Sequence, residues 1–206
     1  FDDAIGVLTE ETTEDMQKMA AMEANTEPYL KTPAWKHAKH RIVWLLVLML
    51  SATITGAIIS KYEAAFAAVP LLVSFIPMIM DTGGNCGSQS STLIIRGLAV
   101  DELHFSDTLK VVWKELRVAL LVGLGLAIAD SAFVMLRYGD IRLAGVVSLS
   151  MFFTVICAKV TGGLLPIAAK RLGLDPALMA APLITTVVDT VAMFIYFTIA
   201  TMLFQL

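Results

Sequence analysis

Residues 64–80 run apolar and free of charge, and then the chain reads Asp-Thr-Gly-Gly-Asn-Cys-Gly, from Asp81 to Gly87. A run of that length is long enough to enter a bilayer. Lipid cannot hydrogen-bond a backbone. Non-helical chain at membrane depth therefore persists only where protein or a water-filled cavity satisfies its polar groups. Three glycines, a carboxylate and a carboxamide at that point predict a break in the helix beside a polar cavity. The plainer reading is that the glycines serve a turn or a close packing contact.

Composition fixes the class. Of 206 residues, 57% are hydrophobic and 16% charged, against about 25% charged in an average soluble domain. The chain is thus predicted to be an integral membrane protein, with the lipid bilayer as its surroundings. A net charge of -3 gives no reason to expect a polyanionic partner. No basic stripe interleaved with aromatics points to nucleic acid. Cys86 and Cys157 sit in apolar or motif segments, so neither a disulfide framework nor a Cys-x-x-Cys metal site is expected. The acidic N-terminus is not a signal peptide. Phe1 is not an initiator methionine, and the chain is expected to be a piece of a longer one.

Residues 1–41 are polar, acidic first and basic later, with a weak helical stripe through Met16, Met19, Ala20 and Met22. One or two amphipathic helices at the membrane surface fit this pattern, with a solvated linker as the alternative. Residues 42–206 are expected to hold five spans, at about 42–59, 64–99, 111–136, 144–169 and 182–206. As one straight helix, residues 64–99 would be about 54 Å long at 1.5 Å per residue. The hydrocarbon core is about 30 Å thick, so that segment must bend, break or emerge. Gly123 and Gly125 allow close helix approach in the third span, and Pro182 suits the first turn of the fifth. With the N-terminus placed in the cytoplasm, ten flanking Lys and Arg residues are cytoplasmic and only Lys61, Arg137 and Arg142 lie outside. That bias fits the positive-inside rule and puts the C-terminus outside.

Charges within spans are costly and usually functional. Asp130, Lys159 and Asp189 stand out. On a helix, Thr185, Asp189, Met193 and Tyr196 share a face, with Thr186 one turn behind the aspartate. A carboxylate among hydroxyls and carbonyls suits hard cations such as Mg²⁺, Ca²⁺ and Mn²⁺. A helix–helix hydrogen bond is the alternative for Asp189. Asp130 and Lys159, on neighbouring spans, are expected to form a structural ion pair, with a proton relay as the other reading. Asp81 and Asn85, one turn apart, could accept hydrogen bonds from the water shell of a cation. The histidines, His37, His40 and His104, all fall in polar flanks. No His-Glu-x-x-His or Gly-x-Ser-x-Gly pattern is present, and no histidine lies within a span. An intramembrane enzyme is thus a distant alternative, with no catalytic or cofactor-binding residue to name.

The stretch Pro77–Ala99, built around Asp-Thr-Gly-Gly-Asn-Cys-Gly-Ser-Gln-Ser-Ser, resembles the signature of the MgtE family of magnesium channels and transporters, which has relatives among animal solute carriers. Asp175-Pro176-Ala177 and the run Pro182–Asp189 resemble that family's last span. The opening residues resemble its exit from regulatory CBS domains into a linking "plug" helix. The resemblance covers nearly the whole chain. It implies an all-α homodimer with five transmembrane helices per protomer and an amphipathic cytoplasmic plug helix ahead of them, with the pore on the dimer axis in a bacterial inner (plasma) membrane. It further implies that Asp189 from both subunits holds hydrated Mg²⁺, helped by main-chain oxygens of Thr185 and Ala181. Asp81 and Asn85 would line the cytoplasmic end of the pore. Cys86 departs from the small Ala or Thr expected there. The function so implied is passive passage of Mg²⁺, and possible further divalent cations, driven by the membrane potential. That potential contributes about 2.3 kcal/mol per elementary charge per 100 mV, and roughly twice that for a divalent ion. A Na⁺- or H⁺-coupled Mg²⁺ carrier is the near alternative.

Overall fold

A computed structural model of the chain describes residues 2–25 and 27–205, the side chains of residues 2–5 and 8 excepted. Phe1 and Leu206, where two of the sequence expectations fall, lie outside the described residues. The described chain is helical almost throughout: α1 (Asp2–Met19), α2 (Ala34–Lys61), α3 (Glu63–Ala68), α4 (Ile76–Ala99), α5 (Thr108–Tyr138), α6 (Ile141–Arg171) and α7 (Ala181–Phe204). Short 3₁₀ turns at Pro70–Phe75, Phe105–Asp107 and Pro176–Met179 join them. Four helical stretches, Ala34–Lys61, Phe105–Tyr138, Ile141–Arg171 and Ala181–Phe204, are long and apolar enough to cross a membrane. α4 matches them in length but carries the polar motif.

The second expected span does break, though not where the glycines suggested. Val69 precedes Pro70 and leaves the helical region at φ -135°, ψ 79°, as steric clash with a following proline ring requires. The chain then makes a six-residue stretch of 3₁₀ helix, about two turns, and restarts as α4. Asp81 to Gly87 lies inside that continuous helix, which corrects the expectation of a non-helical break there. The bend is secured from across the bundle. The buried Tyr196 hydroxyl on α7 donates to the Leu72 carbonyl at 2.8 Å. Phe197 stacks on Tyr62 and meets Phe66 edge-on, with ring centroids 5.1 and 4.8 Å apart.

α6 is the centre of the bundle, with α4, α5 and α7 packed around it. α5 and α6 form a hairpin turned by two residues. Gly139 closes α5 at φ 65°, where a side chain would be strained. Asp140 caps α6 by accepting from the Arg142 and Leu143 amides at 2.8 and 3.1 Å. α2 begins at Ala34, ahead of the boundary expected near residue 42, and almost all of its apolar surface is bare. A hydrogen bond between the Thr55 and Thr190 hydroxyls, 2.8 Å, ties it to α7. α1 docks on the Pro176–Met179 turn, where Lys18 bridges Asp175 at 2.6 Å and Glu14 at 2.5 Å.

Candidate functional site

The glycines of α4 set the site by what they lack. A methyl group at Gly84 would fall 2.9 Å from Thr185 Cγ2, at Gly87 2.6 Å from Ile184 Cγ2, and at Gly83 2.7 Å from Thr154 Cγ2 and 3.0 Å from Val188 Cγ1. Helix backbones in a membrane approach this closely only where small residues line the seam. The contacts also fix direction. As α4 advances from Gly83 to Gly87, its neighbours on α7 step back from Val188 to Ile184, so the two helices run antiparallel. Asp81 therefore stands level with Asp189, and Asn85 level with Thr185.

Asp81 and Asp189 are close enough for their charges to repel. The exposed Asn85 carboxamide donates to Asp81 Oδ2 at 3.2 Å. The Thr185 and Thr186 hydroxyls both donate to the Pro182 carbonyl, at 3.0 and 2.9 Å, and so leave their oxygen lone pairs free to accept. Ala181 opens α7 and is exposed. Its carbonyl and that of Thr185 lie in the helical ladder, each with one lone pair to spare. Asp189 and Thr185 are half-buried, whereas Met193 and Tyr196, expected on the same face, are sealed in the core. The face shared on a helical wheel is thus divided by the packing of the bundle.

Beyond Asn85, the outward stripe of α4 continues through Gln89 and Thr92 to Arg96, all exposed. Asn85, Ser88, Gln89, Thr92 and Leu93 line an open cleft of about 700 Å³. The Ser88 hydroxyl is buried there without a hydrogen-bond partner. Among the described residues, no three His, Cys, Asp or Glu side chains gather as a metal cage. What one chain presents is a ladder of two carboxylates, a carboxamide and hydroxyls on two locked helices.

The inner face of α4 carries a second polar group that the sequence reading missed. Ser90 Oγ donates to Glu115 Oε2 of α5 at 2.6 Å, and Lys159 Nζ of α6 reaches Ser90 Oγ at 3.5 Å. The expected Asp130–Lys159 ion pair is therefore absent: Lys159 turns to Ser90, and Asp130 has a buried carboxylate oxygen with no hydrogen-bond partner. A signal for Glu115 was present in the spacing. Val111, Glu115, Ala119 and Gly123 recur every four residues, and all four are buried.

The long apolar helices of the bundle define a multi-pass helical membrane protein. Residues 76–199 match the family model MgtE, described as a divalent cation transporter. The chain is 36% identical over 204 residues to the magnesium transporter MgtE of Thermus thermophilus, covering 99% of this chain and 45% of that protein. It is 34% identical over 200 residues to the Bacillus subtilis magnesium transporter MgtE, covering 97% and 44%. The Enterococcus faecalis protein of the same name is 30% identical over 201 residues, covering 98% and 44%. The chain belongs to the MgtE family. It spans less than half the length of these curated relatives, whose names describe transport rather than catalysis.

Proposed function

We propose that this chain is the membrane-embedded part of a Mg²⁺ transporter, in which residues 42–206 form the pore domain and residues 1–41 the cytoplasmic plug region. The observation that carries this reading is the polar ladder of Asp81, Asn85, Thr185 and Asp189, which runs along the exposed stripe of α4 and the half-buried face of α7 beside it. Against lipid, such a surface is expensive. It becomes tolerable if a second copy faces it across a water-filled two-fold axis. Carboxylates from both copies then surround one divalent cation, whose charge lets like-charged groups stay ionised at close range.

Mg²⁺ is the cargo here. It gives up its waters reluctantly, and oxygens on a wide ladder suit a hydrated ion better than a tight cage would. Asp189 is the selectivity group. Main-chain oxygens of Thr185 and Ala181 accept from its water shell, and Asp81 and Asn85 extend the path. α2 to α7 provide five crossings in this reading, with α3 and α4 together making the second. The N-terminus is cytoplasmic and the C-terminus outside. The decisive experiment is Mg²⁺ uptake into liposomes under an imposed negative-inside potential. Asp189→Ala abolishes uptake while the dimer still assembles. Uptake at the parental rate in that variant would sink the assignment.

A further inference from the structure

Ser90, Glu115 and Lys159 come from three different helices and are 1%, 8% and 4% exposed. A charged pair is rarely buried this deeply without a task. Its place in the fold suggests one. Ser90 lies nine residues from Asp81. At 100° per residue that is about 180° around α4, so the serine sits directly behind the outward ladder. The seams beside it are smooth. A methyl group on Gly162 of α6 would strike the carbonyl of Gly87, and one on Gly163 would come within 3.2 Å of Glu115 Cγ. Glycine seams allow close approach but offer no side chain that resists rotation. The polar chain supplies what they lack. The carboxylate of Glu115 grips Ser90 from α5, and the ammonium of Lys159 approaches the same oxygen from α6. The Ser90 hydroxyl also reaches back to the Cys86 carbonyl one turn earlier, at 3.4 Å.

We propose that Glu115 and Lys159 are positioning residues that clamp Ser90 and set the rotational register of α4, and through it the aim of the ladder used in transport. Neither touches the ion. Buried ionic groups are best attested as devices of register rather than of raw stability. This inference rests on the reading that the outward stripe of α4 lines the ion path.

The test uses the full chain reconstituted in liposomes. Mg²⁺ uptake is measured per amount of folded protein, alongside the rate at which a membrane-impermeant thiol reagent modifies a Gln89→Cys reporter on the stripe. With Glu115→Gln, the unpaired ammonium loosens the clamp, and uptake per folded protein falls at least about tenfold. The reporter's modification rate shifts by about threefold or more in the same variant, because α4 has turned. The double variant Glu115→Gln/Lys159→Gln, which again brackets Ser90 with matched hydrogen-bonding groups, brings both readouts to within about threefold of the parent. The proposal requires both readouts to move. If either stays at the parental value, or if uptake falls only as far as folded protein is lost, it is overturned. Asp189→Ala is measured in parallel. Should that variant transport normally while Glu115→Gln still turns the stripe and slows uptake, the ion-site assignment fails and the register assignment stands.

Discussion

Asp189 gains its setting from two neighbours of different kinds. Asp81 opposes it with a like charge, and Thr185 one turn back offers an oxygen already fixed by its bond to the Pro182 carbonyl. The two carboxylates are therefore not equivalent. Asp189 is half-buried and Asp81 exposed, so Asp81 is the better screened of the two. Asp81→Asn keeps the hydrogen-bonding shape and removes one charge. It raises the Mg²⁺ concentration needed for half-maximal uptake by roughly tenfold, about 1.4 kcal/mol, without the total loss expected of Asp189→Ala. Equal losses in the two variants would contradict this ranking. Tyr196 offers a second test at the same scale. Tyr196→Phe keeps the ring and strips the buried Leu72 carbonyl of its hydroxyl partner. The cost is about 1–3 kcal/mol, read as a lower Tm in detergent.

At the level of elements, the glycines of α4, α5 and α6 separate into those that hold a contact and those that do not. Gly162 faces backbone that cannot retreat, so Gly162→Ala overpacks the α4–α6 seam and costs about 1–3 kcal/mol. Gly125 on α5 has nothing near its open side, and Gly125→Ala stabilises the helix by about 0.5–1 kcal/mol. Thermal unfolding of the two variants should move in opposite directions. These same residues show how far the sequence could be read. The long apolar periods made the helices legible: α5 and α6 enclose the spans expected for them to within a few residues at either end, α7 starts and stops close to its own, and α2 starts well ahead of its expected boundary. The role of the glycine motif was not legible. A glycine that ends a helix and one that lets two helices touch carry the same letter, and only the partner surface distinguishes them. Pro70 and Pro77 were both visible, but Pro77 falls in the first turn of α4, where proline costs little. Pro70 makes the bend. Asp189 drew notice as a charge within an apolar span, and Asp81 through its spacing from Asn85 in the glycine motif; their level placement on α4 and α7 was not readable from the sequence. Glu115 was passed over, since it sits beside Lys114 and Arg117 near the start of its span and reads as one of the flanking charges; only packing against α4 and α6 shows that it turns inward.

Across the whole molecule, α1 is joined to the bundle chiefly through charge, which makes its docking responsive to pH. Burial works to raise the Asp175 carboxyl, but the hydrogen bonds from Lys18 and the Ala177 amide outweigh it and hold the group below its ordinary 3.8. A depressed carboxyl stabilises docking above that ordinary value and loses the contribution as pH falls through the folded one. Lys18 is raised above its ordinary 10.5 by its bonds to Asp175 and Glu14. Its share is complete below 10.5 and is lost only in strong alkali. Asp15 acts in the opposite sense. Burial first, and then the charge of Asp175, push its carboxyl above 3.8, so protonating Asp15 favours docking. Mild acidification therefore tightens α1 on the Pro176–Met179 turn before stronger acid releases it. Hydrogen exchange of the α1 amides should pass through a minimum as pH is lowered, after correction for intrinsic exchange. Asp15→Asn removes the tightening phase, and Lys18→Met weakens docking throughout the neutral range.

The two-residue corner at Gly139 and Asp140 has a consequence for how the protein is made. It joins two 31-residue helices with almost no slack, so closing that corner costs very little chain entropy. The pair can zip together as soon as both arms exist, ahead of every contact that reaches across the sequence. α4 must then be fitted against a surface already built, and α7, which follows α6 in the chain, completes the seam with α4 beside which the carboxylates lie. Lengthening the corner by a flexible insert should slow the appearance of protease-resistant protein during synthesis far more than it lowers the stability of the finished bundle.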